Sequence, residues 1–276
     1  MEISKGADAS KVFVASERNG VNGYHRHAVE LRHQPVGWYI RCKYVADRVL
    51  AGILLVLSLP ILAVAALLIK LTSCGPIIYR QKRLGKAGAP FTIYKLRTMY
   101  HNCEVISGPC WATKNDPRIT PVGRILRRLH IDELPQLWNV LRGEMSLVGP
   151  RPERPEFIER LQDYFPDYRH RLSVRPGMTG LAQVQLPPDS DLDSVRLKLA
   201  HDFYYVERLG PWLDIRILLA TGLYLLCLPT AWWRRWLRLP GGPEVVRRYE
   251  PKMVPSSRPL PWTNGVHATA YRRVPG

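Results

Sequence analysis

Residues 49–69, VLAGILLVLSLPILAVAALLI, carry no charge and are long enough to cross a hydrocarbon core if they run as one straight helix. Nothing else in the chain has this character. A cleaved signal is disfavoured, because residues 1–36 are polar, rich in Arg, His and Glu, and no small-residue cleavage pattern flanks the run. Pro60 sits near its middle, where it removes a helical hydrogen bond and clashes with the preceding turn. The run is therefore read as a re-entrant helix-break-helix, broken at Ser58 and Pro60, whose halves enter and leave by the same face. Flanking charge agrees. Arg41, Lys43 and Arg48 precede the run, and Lys70, Arg80, Lys82, Arg83 and Lys86 follow it, so the cations typical of cytoplasmic flanks stand at both ends. Composition alone leaves a single-pass helix with a proline kink as the alternative.

The strongest chemical signal is the stretch 124–139, RILRRLHIDELPQLWN. It sets adjacent carboxylates Asp132 and Glu133 just downstream of Arg124, Arg127 and Arg128, and a proline-locked basic turn, GPRP at 149–152, follows. Carboxylates can hold a divalent metal or attack phosphorus, and arginine forks neutralise phosphate oxygens, so the pattern suits phosphoryl chemistry. A structural alternative makes Asp132 a helix N-cap, with Pro135 in the first turn and Glu133 favouring the dipole. The formal net charge of +17 favours anionic partners: acidic lipid, phosphorylated substrates or nucleic acid. No finger, RNP-type sequence or basic-aromatic sheet pattern supports nucleic acid. Cys42, Cys74, Cys103, Cys110 and Cys227 lack paired spacing, so neither a zinc site nor a disulfide framework is indicated.

Four regions follow: a disordered polar tail (1–36), a membrane anchor (37–72), a catalytic domain (73–228), and a basic, proline-rich membrane-surface segment that becomes a disordered tail from Pro240 (229–276). Two β-rich pieces, 76–81 and 91–98, surround a glycine turn and predict a hairpin. Strand alternation puts Lys95 and Arg97 on one face, over a phosphate or on a solvated strand face. Residues 99–116 read as loop. Helical spacing covers 119–129 and 134–141 around the carboxylates, and 193–207 further on. Phe157, Leu161, Tyr164, Phe165 and Tyr168 form the packing stripe of a helix over 155–168, disturbed by Pro166. Residues 212–228 are too short to span comfortably, and Trp232, Trp233, Arg234, Arg235, Trp236 and Arg238 suit the headgroup layer. The fold class is α+β and mainly helical, with amphipathic surface helices and a small β-hairpin around the active site.

Several motifs in order, RLG at 83–85, FTIYKLRTM at 91–99, DPRITPVGR at 116–124, IDELPQLWNVLRGEMSLVGPRP at 131–152 and VRPGMTGLAQV at 174–184, resemble the bacterial sugar transferases. These are the monotopic polyprenyl-phosphate glycosyl-1-phosphate transferases, and the resemblance covers about residues 43–228. It implies transfer of a sugar 1-phosphate from a UDP-sugar to undecaprenyl phosphate, giving the lipid diphosphate sugar and UMP. The setting implied is the initiating step of exopolysaccharide or other surface-glycan synthesis, on the cytoplasmic face of the bacterial inner membrane. Membrane lipid, self-association and downstream glycosyltransferases are the implied partners, in the minimal catalytic form. Carried onto matching positions, Asp132 is the nucleophile that forms a phosphosugar-enzyme intermediate, and Glu133, with Asp132 beside it, binds Mg²⁺. Arg127 and Arg151 are the first phosphate clamps, with Lys95, Arg97 and Arg175 next. Asp202 in DFYY, 202–205, matches a family acid without an assigned chemistry.

The chain departs from the family pattern in three places. Ser58-Leu59-Pro60 replaces Ser-Pro at the membrane break, Cys74 replaces a proline in the TSPGP pattern, and QLPPDSD at 185–191 replaces a Gly-Arg-Asn. Two rival functions remain. One is an inactive membrane scaffold, which has no need of the Arg-Asp-Glu-Arg constellation; the other is a direct glycosyltransferase that releases UDP. Asp189-Ser-Asp191 has the spacing of a metal-binding Asp-x-Asp but lies in a proline-rich loop, where a helix-start role is expected.

Overall fold

The computed structural model describes residues 11–17, 24–30, 37–103, 116–189 and 191–256. These residues are mainly helical, with three two-stranded sheets. The first sheet pairs β1 (Lys11–Glu17) with β2 (Tyr24–Glu30) antiparallel. It corrects the expectation of a wholly disordered tail: Val12, Phe13 and Val14 supply strand propensity in an otherwise polar stretch. Residues 1–10, 18–23 and 31–36 lie outside the described residues.

Helix α1 (Gly37–Thr72) holds the apolar run, is about 54 Å long at the usual rise, and continues through Pro60 without interruption. The expected break is therefore a proline inside a continuous helix. Next to it, Ser58 Oγ donates to the Leu55 carbonyl at 2.8 Å. One stripe of α1 is buried along its whole length: Tyr39, Lys43, Asp47, Ala51, Ser58, Ala65 and Ile69. The other faces of the apolar run are exposed, Leu57 by 67% and Val56 by 65%.

That stripe packs on one globular unit. Ala51 joins Leu137, Val140, Tyr205 and Ile217 in the main core, while Ala65 and Ile69 meet Leu96 and Leu126. The polar foot of the helix is fastened too. Lys43 Nζ lies 2.9 Å from Asp214 and 3.2 Å from Asp47. Ser146 Oγ donates to Asp47 at 2.5 Å, and the Tyr39 hydroxyl donates to Asp214 at 2.6 Å.

The expected hairpin forms from β3 (Ile78–Leu84) and β4 (Pro90–Leu96), with Ile78 opposite Leu96. Helix α2 (Pro121–Arg128) starts at Thr120, whose hydroxyl accepts from the Gly123 amide. A 3₁₀ turn (Ile131–Glu133) and α3 (Gln136–Arg142) follow. Strands β5 (Ser146–Val148) and β6 (Gly177–Thr179) pair in parallel beneath the Gly-Pro-Arg-Pro turn. Between them, α4 (Pro155–Tyr164) ends where Phe165 turns extended, and Pro166 opens a 3₁₀ stretch, Pro166–Ser173. The helix predicted over 155–168 is thus divided at the proline, yet all five stripe residues are buried as packing.

The short α5 (Leu181–Gln185) leads to α6 (Leu192–Arg208), which carries a capping box between Asp191 and Ser194, so Asp191 takes the expected helix-start role. Helices α7 (Pro211–Leu225), α8 (Thr230–Trp236) and α9 (Gly242–Tyr249) complete the described chain. Two expectations are corrected here. Trp233 is fully buried in the main core, so no domain boundary falls at 228. Residues 242–249 are helical rather than disordered, because Val245 and Tyr249, one turn apart, pack on Leu199 and Phe203. Residues 257–276 lie outside the described residues.

Candidate active site

Between α2 and α3 the chain reverses through His130, whose φ of 54° is the left-handed conformation uncommon for a side-chain-bearing residue. The 3₁₀ turn it opens presents Asp132 and Glu133. Asp132 caps no helix; Pro135 stands at the start of α3, so the N-cap alternative is set aside.

Glu133 is held from two sides. Lys95 Nζ lies 2.8 Å and Arg151 Nη2 2.6 Å from its Oε1. These partners come from separate elements, Lys95 from β4 and Arg151 from the turn after β5. Asn139 on α3 fixes the first: it accepts from the Tyr94 amide at 3.2 Å and donates to the Thr92 carbonyl at 2.7 Å. Backbone contacts fix the second. The Gly149 amide donates to Thr179 O and the Gly177 amide to Pro150 O, both at 2.9 Å. A Cβ on Gly177 would sit 2.1 Å from the Gly149 nitrogen, so this stapling admits only glycine.

Asp132 is 7% exposed and forms no hydrogen bond within the described residues. Burial, and then the neighbouring charge of Glu133, push its carboxyl above the usual range, against the opposing cations Lys95 and Arg127. Glu133 behaves oppositely. Burial alone would raise it, but Arg151 and Lys95 together hold it well below the ordinary value. Burial lowers Lys95 despite the attraction of Glu133. Arg127 Nε donates to Thr98 Oγ1 at 2.8 Å.

The other two predicted clamps lie elsewhere. Arg97 follows the last residue of β4, and its side chain is engaged at the end of α1 rather than beside Lys95. Its guanidinium donates to the Ser73 and Cys74 carbonyls, each at 2.7 Å, just beyond the C-terminus of α1. Arg175 stacks on α1, with Cζ 3.8 Å from the Tyr44 ring centroid. The structure thus brings together Asp132, Glu133, Lys95, Arg127 and Arg151, and sets Arg97 and Arg175 against α1.

Sequence reasoning missed Arg171. Its Nε donates to Asp202 at 2.8 Å, and its Nη2 donates to the Arg151 carbonyl at 2.9 Å. A signal existed: Val195, Leu199, Asp202 and Val206 form one buried stripe of α6, and a buried carboxylate there requires a cationic or donor partner.

Residues 38–227 match the family of bacterial sugar transferases. The chain belongs to that family. It is 44% identical over 183 residues to the UDP-N-acetylgalactosamine-undecaprenyl-phosphate N-acetylgalactosaminephosphotransferase of Aeromonas hydrophila, covering 66% of this chain and 43% of that one. It is 46% identical over 194 residues to the UDP-glucose:undecaprenyl-phosphate glucose-1-phosphate transferase of Caulobacter vibrioides, covering 69% and 72%. With the exopolysaccharide production protein PSS of Rhizobium leguminosarum bv. phaseoli the identity is 44% over 173 residues, covering 61% and 86%. The match thus spans less than half of the Aeromonas relative and most of the other two.

A divalent ion is compatible with this site. Among the described residues no three His, Cys, Asp or Glu side chains converge, as a closed protein cage would require. Mg²⁺ is commonly held by one or two carboxylates together with substrate phosphates, and Asp132 and Glu133 are adjacent carboxylates of that kind.

Proposed function

We propose that this protein transfers a sugar 1-phosphate from a UDP-sugar to undecaprenyl phosphate, initiating a surface glycan such as an exopolysaccharide. The observation that carries this is the division of labour between two adjacent carboxylates. Glu133 is clamped by Lys95 and Arg151, whereas Asp132 is buried with no hydrogen-bond partner among the described residues. A carboxylate without such a bond keeps its lone pairs for attack.

In this reading the diphosphate of the donor lies among Lys95, Arg127 and Arg151. Asp132 Oδ attacks the phosphorus next to the sugar, its bond to the bridging oxygen breaks, and UMP leaves. A phosphate oxygen of undecaprenyl phosphate then attacks the same phosphorus and frees Asp132, giving the polyprenyl diphosphate sugar. Arg127 and Arg151 neutralise the equatorial oxygens as charge moves. Glu133 and Asp132 would hold Mg²⁺, which when bound supplies the charge neutralisation that lets an anionic nucleophile approach a diphosphate.

The membrane reading rests on α1. Its foot is tied to Asp214 and Ser146, its far end to Arg97, Leu96 and Leu126, all on one globular unit. A single-pass helix would place those ends on opposite sides of a bilayer. Both ends on one globular unit fit an anchor held at one membrane face, with Pro60 inside a continuous helix, and cations at both flanks fit the cytoplasmic face of the inner membrane. Exposed Trp232 and Trp236, stacked 6.2 Å apart, suit the same interface.

The test is nucleotide release with undecaprenyl phosphate, Mg²⁺ and either UDP-glucose or UDP-N-acetylgalactosamine. UMP from the wild type and none from Asp132→Asn is the expected result. UDP as product would replace this reading with direct glycosyl transfer.

A further inference from the structure

Every arm of the Arg171 fork is committed. Nε and Nη2 meet Asp202 Oδ2 at 2.8 and 2.7 Å, Nη1 donates to the Tyr168 hydroxyl at 3.0 Å, and Nη2 also donates to the Arg151 carbonyl at 2.9 Å. The pair is buried, with side-chain exposures of 2% for Arg171 and 4% for Asp202. Neither side chain can reach a substrate from there. A buried ion pair is a weak source of net stability and is often replaceable by apolar side chains. This pair differs from a packing element because one arm ends on the backbone of the residue whose guanidinium grips Glu133.

The turn around Arg151 is restrained on both sides. Pro150 and Pro152 limit its backbone, and the Gly177 amide holds the Pro150 carbonyl. The Arg151 carbonyl is the next acceptor along the chain, and a charge-assisted bond from Arg171 sets the plane of that peptide. Rotation of this peptide would swing the guanidinium away from Glu133.

We propose that Arg171 and Asp202 are positioning residues for the Arg151 clamp: Asp202 orients the Arg171 fork, and Arg171 fixes the Arg151 peptide so that its guanidinium meets the donor diphosphate. This rests on the reading of Arg151 as a diphosphate clamp. It gives Asp202 a task without contact to any reacting atom. Lys198, one turn earlier on α6, holds Asp189 at 2.6 Å, so Asp189 of the stretch that departs from the family pattern is tied to the same helix.

The experiment measures UDP affinity by calorimetry with Mg²⁺ on the full chain, for Asp202→Asn, Tyr168→Phe, Arg151→Ala and each double variant with Arg151→Ala. Asp202→Asn should weaken UDP binding about tenfold and Tyr168→Phe about two- to threefold, and neither should add more than about twofold once Arg151 is Ala. In turnover, the KM of the UDP-sugar should rise and that of undecaprenyl phosphate should hold. Unchanged UDP affinity in folded Asp202→Asn, or losses that multiply with Arg151→Ala, would overturn the proposal. If Asp202→Asn fails to fold, Tyr168→Phe completes the same cycle. Should Arg151→Ala alone bind UDP normally, the clamp reading itself falls, a result distinct from the other two.

Discussion

The foot of α1 and the 3₁₀ turn each bury a lysine against carboxylates, and they end in different states. At the foot of α1, Lys43 bridges Asp47 and Asp214, Ser146 completes Asp47, and the hydroxyls of Tyr39 and Tyr205 complete Asp214. Each charge there has its partners. At the 3₁₀ turn, Lys95 and Arg151 converge on Glu133, and the neighbouring Asp132 has no hydrogen bond among the described residues. A satisfied network fastens a helix; an unsatisfied one leaves interactions open for a substrate to complete.

The comparison predicts opposite losses. Asp132→Asn should remove about a thousandfold or more of the activity, since it deletes the nucleophile, while the melting temperature holds or rises because a buried unpartnered charge is gone. Parallel nucleotide-release and melting measurements check this. Lys43→Ala should do the reverse, costing about 3–5 kcal/mol of stability by stranding two buried carboxylates. Activity per folded molecule should stay close to wild type.

Arg97→Ala sharpens the contrast within one hairpin. Lys95 serves the site and Arg97 the helix end, so Arg97→Ala should cost roughly 2–3 kcal/mol, seen in melts, and leave donor KM unchanged. Arg151→Ala should raise donor KM about tenfold, equivalent to about 1.4 kcal/mol. It also changes the acid limb of stability in metal-free protein. Glu133, held well below its ordinary 4.5, contributes stability that is present above that value and lost as pH falls through its lower folded value. Removing Arg151 raises the folded value, so the contribution shrinks and its loss, which still begins near the ordinary value, is complete at higher pH. Melts in chelator from neutral pH down to about pH 3 would show this.

Local signals carried much of this description. The apolar run, the hairpin around its glycine turn and the carboxylate pair are written in contiguous residues, and each forms. The trio of Lys95, Glu133 and Arg151 is not, because its members are joined only when β4, the 3₁₀ turn and the β5 turn pack together. Strand alternation puts Arg97 beside Lys95, but its guanidinium is taken by the Ser73 and Cys74 carbonyls, a contact made only in the folded chain. Helix α9 was hidden because its buried side consists of Val245 and Tyr249, too short a stripe to stand out in a proline-rich tail. Arg171 lies in a 3₁₀ stretch with no periodic signature, and only its buried partner Asp202 marked the need for a cation.

The most direct test of the central claim is intact-mass and peptide mapping of the protein incubated with UDP-glucose or UDP-N-acetylgalactosamine and Mg²⁺, without undecaprenyl phosphate. The account predicts one sugar phosphate added on the peptide containing Asp132, discharged by undecaprenyl phosphate and absent from Asp132→Asn. An adduct on another residue, or undiminished turnover by Asp132→Asn, would contradict it.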